Sequence, residues 1–341
     1  MDANTGRPRN VTLKDVAALA GVSIATASKA LNNRGYVHVQ TRARVIEAAE
    51  KVSFTPNSLA KGLLAGRTGT IGLLTNDLEG RFSIPVLMGA EDASGTGKMS
   101  VLLCDARGDA IRESYHLQAL LARRVDGLIV VGSSTDPRKS LGSKLPVPVV
   151  YAYGPSEDPG DLSLVPDNIA GGFMAVSHLL GLGRRTIAHI TGEKGYLAAR
   201  DRAEGALRRL DEAGLGVAGG EVLYGDWSEA WGRSATSSLL DREPNIDAVF
   251  CGSDQIARGA LDAIRDRGLL VPDDIAVIGF DDWEVLTTGS RPQLSSVNMD
   301  LEALGRHAAR KLFAAIEGTD SSGVEKMPCR LVIRGSTVRV G

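Results

Sequence analysis

The chain has 341 residues, 43% of them hydrophobic and 23% charged, with a formal net charge of −2. That balance excludes a disordered or fibrous chain, and the length exceeds one ordinary domain. No apolar run approaches the roughly 18 residues that a membrane span requires, and the opening MDANTGRPRNVTLKDVA lacks the apolar core of a secretory signal, so a cytoplasmic protein is expected. The charge is unevenly spread. Residues 1–66 hold nine Lys/Arg against four Asp/Glu (+5), and the remainder holds 30 against 37 (−7). A basic head on an acidic body suits an anionic partner for the head, or else a solvated basic tail. Cys104, Cys251 and Cys329 show no CxxC or Cys/His spacing. They read as buried small hydrophobes in a reducing compartment, with no metal and no cofactor expected.

Residues 1–10 are polar. TLKDVAALAGVSIATASKALNN then reads as two short helices separated by Gly-Val-Ser. Thr12 is placed to cap the first helix, with Asp15 at the capping-box position, and Ser23 to cap the second. At 100° per residue, Ala27, Ala30 and Leu31 face Val16, Ala17 and Ala20, while Ala25, Ser28, Lys29 and Asn32 face away. Two short helices on a tight turn, the second presenting small polar groups and one cation, form a helix-turn-helix arrangement that fits a DNA major groove. There Lys29 can reach a guanine edge or a phosphate. A helical hairpin with a solvated face is the plainer alternative. TRARVIEAAEKVSF gives a third helix with Val45, Ala48, Ala49 and Val52 on one face, and TPNSLAKGLLAG follows as a short helical segment broken by Pro56 and Gly66.

From Thr70 the pattern changes. The apolar runs TIGLLTN, SVLLCD, DGLIVVG, VPVVYAY, TIAHITG, IDAVFCGS and DIAVIGFD alternate with amphipathic stretches, which predicts buried parallel strands and crossover helices. About nine or ten such units exceed one compact sheet, so two lobes are expected, and RPQLSSVNMDLEALGRHAARKLFAAIEG is placed to cross between them. Ligands of such sheets bind at the carboxyl ends of strands. Tyr151, Tyr153, Tyr196, Trp227 and Trp283 all follow strand-like runs. With Arg202 and Asp281 they suit a sugar, rings stacking on its C–H face and charges holding its hydroxyls. Enzyme signatures are incomplete. GTGKMS departs from a phosphate loop at Asp92 and Met99, GLGRRT lacks the third glycine of a dinucleotide fingerprint, and no Gly-x-Ser-x-Gly elbow or metal-spaced His pair occurs. No catalytic residue is assigned.

VTLKDVAALAGVSIATASKALNN, TPNSLAKGLLAGRTGTIGLL, RRVDGLIVV, DNIAGG, RRTIAHITG and PDDIAVIGFDD follow one another as in the lactose repressor/galactose repressor (LacI/GalR) family of bacterial transcription regulators. The chain resembles that family from about Val11 to Val340. The resemblance implies an α/β protein with an all-α helix-turn-helix head and a two-lobed, periplasmic-binding-protein-like core of parallel sheets. Its expected parts are a DNA-binding domain over 1–55, a hinge helix and linker over 56–68, and an effector-binding, dimerising core over 69–341. Lobe one takes about 69–166 plus 297–328, and lobe two about 167–296 plus 329–341.

The implied DNA-binding residues are Thr12, Ser23, Ile24, Ala25, Thr26, Ser28, Lys29 and Asn32 in the head, with Asn57, Lys61 and Leu63 in the hinge. Lys29 stands where the family usually has arginine. The Ile24–Ala25 pair cannot hydrogen-bond base edges and favours thymine methyl contact or shape readout. Leu63 matches the hinge leucine that wedges into the minor groove. The implied effector residues are Tyr153, Arg202, Trp227, Ser253, Asp281 and Trp283. Ser253 replaces a usual asparagine and Tyr153 a usual polar residue, which points to a ligand larger or less polar than a hexose. The expected protein is a homodimeric repressor on palindromic double-stranded DNA, controlled by a small carbohydrate. With no apolar heptad tail after the last strand, a tetramer is not expected. A sugar-binding transport protein without regulatory role is the alternative.

Overall fold

The computed structural model describes residues 11–31, 35–54, 67–78, 81–94 and 99–339. The chain divides into two compact units, residues 1–68 and 69–341. The first holds α1 (Leu13–Leu19), α2 (Ile24–Leu31) and α3 (Val39–Lys51). The starts of α1 and α2 are set by local chemistry. The Asp15 carboxylate accepts from the Thr12 backbone N–H (2.8 Å) and hydroxyl (2.7 Å), closing the start of α1. The Ser23 hydroxyl accepts from the Thr26 N–H at 3.1 Å at the start of α2. Small residues let the helices approach closely. Val16, Ala17, Ala20, Ala27, Ala30, Val45, Ala48 and Ala49 form the buried core, with Leu31, Val52 and Phe54 packed against it. The expected hinge and its residues Asn57, Lys61 and Leu63, and also Asn32, lie outside the described residues.

The second unit alternates strand and helix. Its first part runs β1 (Thr70–Thr75), α4 (Ser83–Ser94), β2 (Ser100–Asp105), α5 (Ala110–Ala122), β3 (Gly127–Val131), β4 (Val149–Ala152) and β5 (Leu162–Pro166). Then follow α6 (Asn168–Gly181), β6 (Ile187–Thr191), α7 (Leu197–Glu212), β7 (Leu223–Tyr224), α8 (Glu229–Arg242), β8 (Ala248–Cys251), α9 (Asp254–Asp266), β9 (Ala276–Phe280), α10 (Glu284–Gly289) and β10 (Ser295–Asn298). The chain ends through α11 (Leu301–Ile316), β11 (Gly323–Met327) and β12 (Arg330–Val332).

Two six-stranded sheets result, ordered β11-β5-β4-β3-β1-β2 and β12-β10-β9-β8-β6-β7. All pairings are parallel except β10 with β12. The chain passes from the first sheet to the second after β5, returns after β10, and passes again between β11 and β12. RPQLSSVNMDLEALGRHAARKLFAAIEG therefore contributes β10 to the second sheet and α11 to the first. β5 is fully buried yet reads LSLVP, whose serine and proline hide it from an apolar-run search. Cys251 and Cys329 are buried, Cys104 is half-buried, and all three are free thiols.

Three helix pairs cross through reciprocal glycines. On α6 and α7, a Cβ on Gly172 would lie 2.1 Å from the Arg202 carbonyl oxygen, and one on Gly205 would lie 1.9 Å from that of Ile169. Gly89 and Gly305 do the same for α4 and α11, as do Gly232 and Gly259 for α8 and α9. No side chain fits at such distances, so glycine alone permits these approaches. Gly205→Ala must push α6 and α7 apart and is expected to lower stability by about 1–3 kcal/mol. Urea unfolding of the variant, followed by circular dichroism, measures this; a midpoint equal to that of the parent chain would contradict it.

Candidate functional site

At the carboxyl ends of strands from both sheets lies a cavity of about 390 Å³. Its wall combines aromatic rings, hydroxyls and charges: Phe82, Tyr153, Tyr196, Trp227 and Trp283, then Ser133, Ser134, Thr135 and Gln255, then Arg81, Arg202 and Asp281. All but Arg202 stand in the segment after a strand, where backbone leaves the sheet and side chains can converge on one point, and Arg202 reaches in from the second turn of α7.

Arg202 is the most enclosed of the charges, 2% exposed. Its Nε donates to Asn168 Oδ1 (2.9 Å), its Nη1 to the Gly252 carbonyl (2.6 Å) and its Nη2 to Met299 Sδ (3.6 Å). The same Nη2 stands 3.3 Å from Asp281 Oδ1, and the guanidinium lies 3.8 Å over the Phe280 ring. A buried cation is tolerated where its donors are used and a carboxylate faces it, and Arg202 meets both conditions.

Asp281 projects from a strained turn. Asp281 and Asp282 have φ of 98° and 55°, and Tyr153 across the cavity has φ of 71°. Non-glycine residues in this region cost energy and persist only where surrounding bonds fix them. Here the Asp281 N–H donates to the Val297 carbonyl at 2.8 Å. The Asp282 carboxylate is held by Asn298 Nδ2 (2.8 Å) and Arg334 Nη1 (2.7 Å). Behind them Asp254 is fully buried, accepting from the Trp283 N–H and the Ser296 hydroxyl, each at 2.6 Å. Burial, then the Asp281 charge, push the Asp254 carboxyl well above the usual carboxylate range.

The aromatic walls are pre-packed. Phe82 stacks on Tyr153 at 4.6 Å, and Tyr196 meets Trp227 edge-on at 6.1 Å. A Cβ on Gly192 would lie 2.0 Å from the Trp227 ring, so that glycine makes room for the indole at the end of β6. Burial and the nearby Asp281 charge push the Tyr153 hydroxyl upward, which keeps it neutral.

Tyr153, Arg202, Trp227, Asp281 and Trp283 therefore share one cavity. Ser253 does not line it. It is fully buried, and its hydroxyl caps α9 by accepting from the Ile256 N–H at 3.3 Å. The helix starts immediately after β8 and consumes that hydroxyl, and Gln255 is the residue of this segment that faces the cavity. Arg81, Phe82, the Ser133–Thr135 run and Gln255 were not singled out by sequence. Arg81 sits in a loop without a motif, and its position after β1 was the available signal.

In the head unit, Ser23, Ala25 and Lys29 are exposed, Ile24 is 50% exposed, and Thr26 and Ser28 are half-buried. Ser23 and Thr26 hydroxyls pair at 2.9 Å, while Thr12 is exposed with its hydroxyl on Asp15. Tyr36, which sequence reading passed over, is 94% exposed just beyond the second helix. Its phenol can donate to a phosphate.

A three-helix unit that turns a small-residue helix outward, carried on the same chain as a core with a ligand-sized cavity at its strand ends, defines a class. It is that of DNA-binding regulators controlled by a small molecule. Residues 12–57 match the model of the bacterial regulatory proteins of the lacI family, and residues 176–337 match a periplasmic binding protein-like domain. Catabolite control protein A of Priestia megaterium is 34% identical over 333 residues, covering 96% of this chain and 99% of that protein. The ribose operon repressor of Escherichia coli K12 is 35% identical over 300 residues, covering 87% and 90%. The solved lac repressor dimer, bound to operator and the anti-inducer ONPF, matches 97% of this chain and 100% of its own with a TM-score of 0.77 and 28% identity. The chain belongs to the lacI family of transcriptional repressors. Among its described residues, no helix is long and apolar enough to cross a membrane.

Beneath the cavity, His189 of β6 stacks on Phe250 at 4.3 Å, its Nδ1 2.9 Å from the Phe250 carbonyl. Burial, assisted by the Arg202 charge, lowers its pKa from 6.5 to about 4. The unfolded chain thus takes a proton below pH 6.5 that the native chain refuses until about pH 4. Its contribution is full above pH 6.5 and lost as the pH falls through that window, by about 2 kcal/mol between pH 7 and 5. Urea unfolding at the two pH values, compared with His189→Gln, checks this; the same acid loss in both proteins would contradict it.

Proposed function

We propose that this chain is a cytoplasmic, homodimeric repressor that binds a palindromic operator through its heads and whose operator affinity is set by a small carbohydrate-type effector. It acts by binding and not by catalysis. The observation that carries the effector reading is the strand-end cavity, where Arg202 and Asp281 stand among aromatic rings. Rings stack on the C–H faces of a sugar while the charges take its hydroxyls. The ribose operon repressor among the relatives supports a carbohydrate.

In the head, Ile24 and Ala25 meet thymine methyls, Lys29 takes a guanine edge or a phosphate, and Thr12, Ser23, Thr26 and Ser28 supply hydroxyls. Asn32, Asn57, Lys61 and Leu63 join them on the strength of the family resemblance, Leu63 as the minor-groove wedge. The second copy docks where Ile84 and Met88 of α4 and Ile111 and Tyr115 of α5, all exposed, flank the edge strand β2. Arg81 pairs with Asp281 and donates to Gln255 at 3.2 Å, and the Leu197 N–H donates to Asp136 at 2.9 Å, so bonds cross between the two sheets' loops at the cavity. A ligand that alters these bonds shifts the lobe arrangement, and through the hinges the operator affinity.

An electrophoretic shift on DNA upstream of the gene tests the repressor reading. Lys29→Ala is expected to weaken operator binding by about 1–3 kcal/mol if the lysine meets a base. If it meets only phosphate, binding falls alike on all sequences and the salt slope shrinks by about one. Unchanged operator affinity contradicts both. Trp227→Ala removes one ring of the cavity wall and is expected to weaken effector binding by about tenfold or more, read by calorimetry. Equal affinity in parent and variant would place the effector elsewhere.

A further inference from the structure

We infer that the effector carries an anionic group, a carboxylate or a phosphate, and that Arg81 holds it. This rests on reading the strand-end cavity as the effector site, and it names the ligand class.

The charged residues lining the cavity are two arginines and one carboxylate: Arg81, Arg202 and Asp281. The two guanidiniums are not equivalent. Arg202 spends its donors on Asn168, Gly252 and Met299 and is nearly sealed. Arg81 donates through Nη1 to Gln255 and through Nη2 to Asp281, while its Nε is buried without a hydrogen-bond partner. A guanidinium offers five N–H donors in a planar fork, so with Nε sealed away from the cavity Arg81 still has the second hydrogens of Nη1 and Nη2 to offer.

Arg81 is also held in place. Its guanidinium carbon lies 5.0 Å from the Phe82 ring centre and 4.9 Å from that of Trp283. Two aromatic faces fix a side chain that would otherwise lose rotamer entropy on binding, which is preorganisation for a ligand.

The charges do not cancel. Asp281 is shared by both arginines, its Oδ1 facing Arg202 and its Oδ2 facing Arg81. Asp254 sits behind Asp281 with both oxygens engaged, and burial favours its neutral form. The lining itself therefore holds one more cation than carboxylate, with Asp136 engaged by the Leu197 N–H at its edge, in a partly dehydrated site where charges interact more strongly than in water. A neutral polyol fills hydrogen bonds and leaves that charge standing. A carboxylate or phosphate neutralises it and fits the fork with two parallel bonds. The Thr135 hydroxyl, 3% exposed and without a partner, lines the same wall with Ser133 and Ser134 and can serve the remaining oxygens. The stacked Phe82 and Tyr153 rings supply an apolar wall for the sugar body.

The experiment uses the full chain and follows its tryptophan fluorescence, since Trp227 and Trp283 line the cavity. Glucose, glucose 6-phosphate and glucuronate are titrated in parallel with ribose and ribose 5-phosphate, and operator affinity is measured with each. At least one anionic sugar is expected to bind about tenfold or more tighter than its neutral parent. The phosphate and glucuronate arms tell the two anions apart. Arg81→Gln is expected to abolish that preference. Arg81→Lys, which keeps the charge and loses the fork, retains part of it. A neutral sugar that binds as tightly as its anionic forms and shifts operator affinity overturns the anion inference and leaves the effector-controlled repressor standing. So does a preference that survives Arg81→Gln. No response to any probe, in fluorescence or operator affinity, overturns the inference together with the carbohydrate reading.

Discussion

The cavity depends first on a contact with no side chain in it. Where α6 crosses α7, Gly172 meets the carbonyl of Arg202 and Gly205 meets the carbonyl of Ile169. The crossing fixes the backbone of Arg202 itself, so the guanidinium starts from a known point. Asn168, the first residue of α6, then takes the Arg202 Nε. Two helices, one glycine pair and one amide thereby determine where a buried positive charge stands. The other glycine crossings, α4 with α11 and α8 with α9, hold the remaining helix layers by the same means. Packing at this density transmits small shifts instead of absorbing them.

Arg202 in turn governs the electrostatics around it. Its charge faces Asp281, helps keep His189 neutral, and lies over Phe280. Asp281 reaches it only because the chain accepts φ of 98° and 55° at successive aspartates after β9. The strain is offset by Asn298, Arg334 and the Val297 carbonyl, so the turn is built and not merely permitted. The aromatic walls have a parallel origin: strand ends release Tyr153, Tyr196 and Trp227 into one space, and Gly192 leaves room for the last of them.

What the sequence disclosed follows from what each feature costs locally. The head was readable nearly residue by residue, because caps and 100° periodicity are short-range, and Val16, Ala17, Ala20, Ala27 and Ala30 form the core they were expected to form. The long apolar strands were readable for the same reason. β5 was not, since a buried strand in a parallel sheet needs no particular alternation and LSLVP resembles a loop. Arg202 and Asp281 were visible through a family resemblance. Ser253 was read as an effector contact because one hydroxyl serves equally as ligand or helix cap, and in the structure it caps α9. Arg81 and Gln255 are 174 residues apart in sequence and meet across the cavity. No local pattern encodes that meeting.

That long-range meeting makes binding and lobe arrangement one equilibrium. Arg81 issues from the loops of the first sheet, and Asp281 and Gln255 from those of the second. A ligand that becomes the new partner of Arg81 competes with Asp281 for it. A ligand that leaves the Arg81–Asp281 pair intact and also touches Trp227 of the second sheet's loops instead adds a further tie between the lobes. The first kind loosens the cross-lobe bonds and the second tightens them, so under the proposed effector reading the same cavity serves opposite changes in operator affinity according to where the ligand carries its charge. On that reading the sign of the response belongs to the pairing of ligand and Arg81, and not to the fold that carries them.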